Sequence, residues 1–311
     1  MISAILFCPF YSTPVDNEEK TQNPMFARGI IKVKEVEKEV RYLAKKMGIE
    51  NPEKVVLKIL ESTRLQAMSL KMRSEIFLSP LLLANPKELP ASLQWKGRHH
   101  PRNMSCRHYV KHAQKVSRWI KQRFALEKFE LTEKSLFDMS LFMRNSALAK
   151  KARLFLILHE LAHLMQDDIQ KNDVEDGPMK IALTINVLAL ATIFGAAYMF
   201  GLGLIFLYVA TLGTEIAVSQ LYDSKKQERL QELQREKEKD ADIRAVKTCP
   251  KILKGGVYFF KTRLLYNRHL RKVDKLDSID SSGNYLADLN HPKLKDRIKY
   301  LKKIAHSKNS H

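Results

Sequence analysis

A chain of 311 residues can build one sizeable core carrying an insertion, or two small domains. Its formal charge of +20 calls for an acidic partner, whether nucleic acid or anionic lipid, unless it only makes a solvated basic surface. The three cysteines, Cys8, Cys106 and Cys249, are too few and too scattered for a disulfide framework, which excludes a disulfide-stapled secreted domain and points to a reducing compartment.

Residues 1–28 read as an irregular N-terminal segment, broken by Pro9, Pro14, Asn17, Asn23 and Pro24. The apolar start, MISAILFCPFYSTPV, lacks a basic leader and is too short to span a bilayer, so it reads as a core strand or loose tail rather than a signal peptide. Helical periodicity follows at Val33, Val36, Val40, Leu43 and Met47, with Gly48 as the stop. This stripe is too short for a coiled coil and is expected to pack on the domain. Val55 to Leu60 and Ile76 to Leu78 read as strands of a small sheet, with Leu65 to Ser69 between them.

Trp95 to Phe124 holds nine Lys or Arg and no acid, interleaved with Trp95, Tyr109 and Trp119. Such a segment can lie on lipid headgroups, bind nucleic acid, or simply face water. Cys106, His108 and His112 have metal-ligand spacing but no obvious fourth ligand nearby, so coincidence is favoured.

Leu154 to Asp168, LFLILHELAHLMQDD, sets His159, Glu160 and His163 in an apolar helix. HExxH puts two imidazoles on one helix face about 40° apart, a spacing that grips one zinc ion, while Glu160 can hold water without being a ligand. The alternative is a core helix with two satisfied histidines, but an ionised Glu in that run needs a metal or charged partner.

From Ile181 to Leu221 there is no Lys, Arg or Asp, and Glu215 is the only acid. Two legs, Ile181 to Tyr198 and Leu202 to Leu221, each fit one bilayer crossing, with Gly201 and Gly203 near the turn. A buried hairpin in a soluble protein, or one dipping into a single leaflet, is the alternative. Ala191 and Gly195 offer a weak small-residue packing signal.

A catalytic zinc needs a third protein ligand. The charged helix Lys225 to Lys247 offers Glu228, Glu232, Glu236, Glu238, Asp240 and Asp242. With Leu230 at zero, the stripe of Leu233, Ala241 and Ala245 spans about −60° to 60°, and Glu238 and Asp242 fall beside it at about 80° and 120°. Glu238 is therefore selected as ligand and Asp242 as the carboxylate that orients an imidazole. Taken alone, the helix leaves all six acids free to be solvated.

HELAH, a hydrophobic hairpin, EKDAD (Glu238 to Asp242) and NHPKLKDRI (Asn290 to Ile298) together resemble the M48 family of membrane zinc metallopeptidases, of the CAAX-protease and HtpX type. The resemblance implies a gluzincin: one Zn2+ on His159, His163 and Glu238, Glu160 as general base and then acid, and Asp242 behind a ligand. It further implies His291 at the oxyanion, with Arg297 organising the same pocket. The implied fold is α+β and mainly helical, a peptidase domain with a small sheet and an inserted two-helix transmembrane hairpin. The peptidase domain would comprise residues 29–178 and 222–311, with the hairpin at 179–221 between them.

Lys171 and Lys180 precede the hairpin, Lys225, Lys226 and Arg229 follow it, and its turn is uncharged. The positive-inside rule then puts the active site in the cytosol. The expectation is an integral protein of a bacterial inner membrane, a zinc endopeptidase whose partners are the lipid bilayer and protein or peptide substrates, membrane or membrane-proximal, in a quality-control role. A non-catalytic, zinc-stabilised membrane adaptor that binds anionic lipid or a partner protein is the alternative. No nucleic acid is expected, and salt-dependent DNA or RNA binding by residues 95 to 124 would contradict that.

Overall fold

The computed structural model describes residues 24–60, 62–84, 106–126, 129–166, 171–201 and 203–307. These residues are mainly helical with one small sheet. Helix α1 (Pro24–Met47) starts inside the segment expected to be irregular, because proline suits the first turn of a helix, where its missing N–H is no loss. It buries Val36, Val40, Leu43 and Ala44 on one face and ends at Gly48, whose φ of 86° is the left-handed stop that glycine favours.

Strands β1 (Val56–Ile59), β2 (Ala67–Leu70) and β3 (Glu75–Leu78) form a sheet in the order β1-β3-β2. β1 runs parallel to β3, with Leu57 opposite Ile76, and β2 runs antiparallel, with Met68 opposite Phe77. The stretch around Leu65 to Ser69 thus yields a third strand. It is an edge strand, half-buried on alternate residues, and so lacks the apolar run that marks β3. The four-residue helix α2 (Pro80–Leu83) follows and is wholly buried.

The basic segment includes helix α3 (Cys106–Phe124), which buries Ala113, Val116, Ile120 and Phe124 and exposes Lys111, Lys115 and Arg118. Trp119 is buried, with the Arg123 guanidinium 5.2 Å from its ring, so it presents no free face on which a base can stack. Trp95 and the side chains of Cys106, His108 and Tyr109 lie outside the described residues. Helix α4 (Glu133–Met143) is capped by Thr132, whose hydroxyl accepts from the Ser135 amide.

Helix α5 (Ser146–Met165) is the central element, with ten buried residues from Ala149 to Ala162. Helix α8 (Leu253–Asp274) lies against it at close range because Gly255 and Gly256 have no side chains. A Cβ on Gly255 would strike the backbone of Lys151 and Ala152, and one on Gly256 would sit 2.8 Å from the Phe155 ring. Phe155 then packs edge-on against Phe260 and stacks on His159.

Helices α6 (Lys171–Phe200) and α7 (Leu204–Thr248) fold back on each other through Gly201, whose φ is 62°. The expected second leg and the expected charged helix are one 45-residue rod, because nothing between Leu221 and Lys225 breaks a helix. Of the two crossings expected, only Gly177–Phe200 is a helix long and apolar enough to span a membrane among the described residues. Helix α9 (Leu294–Ser307) packs on α8 and closes the fold.

Candidate metal centre

The last turns of α5 carry His159, Glu160 and His163 into a cleft of about 540 Å³. Four-residue spacing stacks the two imidazoles on one face, and their Nε2 atoms lie 3.1 Å apart. Glu238 comes in from α7: its Oε2 is 3.4 Å from His159 Nε2 and its Oε1 is 3.1 Å from His163 Nε2. Donor atoms at the corners of a tetrahedron around zinc, with bonds of about 2.0–2.1 Å, are about 3.3 Å apart. The three separations are therefore those of ligands sharing one cation. No other metal-holding group of His, Cys, Asp or Glu occurs among the described residues.

The wheel of α7 explains why Glu238 and not its neighbours arrives here. Asp242, one turn further on, is fully buried, whereas the Asp240 and Glu232 side chains are roughly half exposed on the other side. Asp242 Oδ1 lies 2.9 Å from His159 Nδ1, which orients that ring with Nε2 toward Glu238. Arg297, from α9, grips Asp242 with two bonds of 2.8 and 2.7 Å and reaches Glu238 Oε2 at 3.2 Å. Its guanidinium lies over the Phe260 ring at 4.3 Å, and the Tyr300 hydroxyl donates to the same Asp242 carboxylate. Arg297 is thus committed to two carboxylates rather than free to meet a substrate.

These contacts set the charges. Burial pushes the Glu238 carboxyl up, but its contacts with the His159 and His163 imidazoles and the nearby Arg297 charge hold it well below the usual carboxylate range. Asp242 is likewise opposed by burial, and Arg297 and His159 bring it down to about 2. Burial would lower His159, yet the Asp242 and Glu238 carboxylates beside its two ring nitrogens raise it to about 10. Two ionised carboxylates thus face imidazole nitrogens, where a proton and a divalent cation compete for the same lone pairs.

Glu160 is buried beside this cluster of candidate ligands, and its Oε2 accepts from Ser69 Oγ of β2 at 3.0 Å. His291 lies across the cleft, half exposed, with Nε2 3.9 Å from Glu238 Oε1 and Nδ1 2.8 Å from Asp288. The Asp288 hydrogen bond raises the His291 pKa, with further help from the Glu238 charge. The cleft thus brings together His159, Glu160, His163, Glu238, His291 and Arg297, with Asp242 directly behind.

Ser69, Asp288, Tyr300 and Gln166 were not reached from sequence. Tyr300 falls one turn after Arg297 and Gln166 one turn after His163, so helical phase was the available signal for both. Ser69 and Asp288 offered none, being ordinary loop or strand polar residues until the fold is known.

Neither a curated protein nor a solved structure matches the chain. The family model described as peptidase family M48 matches residues 31–305, a span that includes α5, the α6–α7 hairpin, EKDAD and α9 up to Ala305. With nearly the whole length matched and the HExxH, Glu238 and Asp242 groups assembled around one cleft, the chain belongs to peptidase family M48.

Proposed function

We propose that the chain is a membrane-anchored zinc endopeptidase that hydrolyses membrane or membrane-proximal proteins, such as those removed in protein quality control. The observation that carries the reading is the convergence of His159, His163 and Glu238 at tetrahedral separations with Glu160 alongside. Two imidazoles and one carboxylate suit zinc, whereas magnesium and calcium prefer six or more oxygens. Zinc bound there supplies Lewis acidity, lowering the pKa of water toward neutrality and polarising a peptide carbonyl.

The chain's own residues do the rest. Glu160 takes the proton of the attacking water and hands it to the leaving amine, and the Ser69 hydroxyl holds one of its oxygens in place. His291, oriented by Asp288, donates to the oxyanion that forms on the carbonyl. Arg297 and Asp242 keep Glu238 and His159 aligned. Ala67, Met68 and Ser69 line the cleft from a strand whose other edge has no strand partner among the described residues, so an extended peptide can add to the sheet there. Leu65, Leu156, Phe259 and Phe260 offer its side chains an apolar wall.

Membrane anchoring rests on the hairpin. Leu183, Val187, Leu188, Phe194 and Tyr198 of α6, and Tyr208, Val209 and Ile216 of α7, are all more than half exposed. A soluble protein rarely leaves so continuous an apolar surface to water, and a bilayer covers it. Lys180, Lys225, Lys226 and Arg229 at the open end favour a cytosolic catalytic domain.

Glu160→Gln separates this reading from a zinc-stabilised adaptor. In the detergent-purified protein the variant should keep one zinc and lose casein cleavage by about 10²- to 10⁴-fold. Cleavage at the wild-type rate would sink the peptidase assignment, and unchanged biological activity would favour the adaptor.

A further inference from the structure

Each imidazole of a metal site needs a partner on its second nitrogen, and the two in this cleft are served differently. His159 Nδ1 faces a carboxylate, Asp242. His163 Nδ1 faces a neutral amide, the Oε1 of Gln166, at 2.8 Å. Gln166 is the residue that ends α5: its extended backbone (φ −77°, ψ 141°) terminates the helix, and the side chain is left buried one turn beyond His163.

The orientation of this amide is fixed by what surrounds it. Its Nε2 lies 2.8 Å from the Lys237 carbonyl oxygen and 3.3 Å from Asp240 Oδ2. Both are acceptors. Turning the amide over would set its oxygen against the two of them and leave its N–H groups facing the ring, so Oε1 must point at His163. An amide oxygen only accepts. The Nδ1 of His163 therefore carries the proton, and the lone pair of Nε2 points at the place where Nε2 of His159 and the carboxylate of Glu238 converge. The same amide holds the backbone of Lys237, the residue immediately before the third ligand. Gln166 thus ties the two halves of the cluster through a contact with Lys237, 71 residues away in sequence and beyond the whole hairpin. Its own carbonyl accepts from Lys71 Nζ, next to β2, at 2.5 Å.

We propose that Gln166 is a positioning residue for the metal: it holds His163 in the tautomer that binds a cation and locks that ligand in register with Glu238. This rests on the reading of the cluster as a zinc site.

The test uses the full-length protein in detergent and reads zinc affinity by competition with a colorimetric chelator, beside the thermal midpoint of the zinc-free form. Gln166→Met keeps the volume and removes all three side-chain hydrogen bonds. It should weaken zinc binding by about 10- to 100-fold. The zinc-induced rise in midpoint should shrink more than the zinc-free midpoint falls, a difference that a mere bridge between helices would not produce. Gln166→Glu is made in an Asp240→Asn background, which removes the carboxylate that would repel the new oxygen; it restores an acceptor for His163 and should recover, relative to Gln166→Met in the same background, at least half of the lost affinity on a logarithmic scale. Wild-type zinc affinity in Gln166→Met, or no recovery in that double variant, overturns the assignment. A wild-type protein that binds no zinc instead removes the zinc reading itself, so the two failures are told apart.

Discussion

At the scale of single residues, Arg297 shows how position in space assigns a role that position in sequence leaves open. The resemblance implies that it organises the oxyanion pocket; it lines the cleft, and its guanidinium is held by Asp242 and Glu238. Arg297→Lys keeps the charge but cannot reproduce a two-pronged grip, and breaking a buried pair costs about 3–5 kcal/mol. The variant should unfold at lower denaturant and carry less zinc, measured by urea titration and metal analysis. The pH response carries a sign that depends on the metal. His159 is raised to about 10, so in the zinc-free protein its pairing stabilises fully below its ordinary value of 6.5 and is lost as pH climbs through about 10. Asp242 is depressed to about 2, so its contribution is present above its ordinary value of 3.8 and fades only as pH falls toward 2. Zinc requires a neutral imidazole, so its affinity should rise from pH 5 to 8 while the zinc-free form gains nothing over that range. A zinc-induced midpoint shift that shrinks with rising pH would contradict this site. His159, Glu160 and His163 were legible because they touch through one turn of helix. Ser69 was not, because its partner Glu160 is 91 residues away and only folding reveals the pair.

At the scale of elements, periodicity marks α1, α5 and the charged part of α7 but not how closely helices approach. The place of α8 in the fold turns on Gly255 and Gly256, which let it lie on the backbone of α5. In an exposed helix Gly→Ala gains about 1 kcal/mol of helix propensity. Here the new methyl meets main chain, which cannot rotate away, and overpacking costs about 1–3 kcal/mol or more. Gly255→Ala should therefore be destabilising, and because α5 carries both histidines it should lower zinc content as well; an increase in thermal midpoint would show that the helices can part cheaply. Two differences from the sequence reading have the same origin. β2 was missed because an edge strand with alternating half-buried residues is held by its partner β3 rather than by its own apolar run. The second leg merged with the charged helix because hydropathy changes at Leu221 while helix propensity does not.

At the scale of the whole molecule, that continuity has a geometric consequence. The phase of α7 could be read from its apolar stripe, but a hairpin leg and a ligand-bearing helix on one rod could not, since nothing local distinguishes a continuous helix from two joined by a turn. One rod carries the apolar hairpin at its start and Glu238 near its end. Between Leu221, where the uncharged stretch ends, and Glu238 there are seventeen helical steps, or about 25 Å along the axis. If the hairpin lies in the bilayer, the cleft is held at that height and cannot swing down, because α5 and α9 grip the same helix. An extended peptide covers about 3.3 Å per residue, so a chain leaving the membrane needs about 8 residues to reach the cleft. Membrane-anchored substrates with one cleavable sequence at increasing distance from a transmembrane segment should resist cleavage when that spacer is shorter and be cut efficiently beyond it. Mass spectrometry of the fragments in proteoliposomes reads the threshold. Inserting four residues after Lys226, one further turn of helix, should lift the site by about 6 Å and move the threshold outward by about 2 residues without loss of zinc. Efficient cleavage at the membrane boundary itself would show that α7 does not stand on a hairpin in the bilayer as a rigid post.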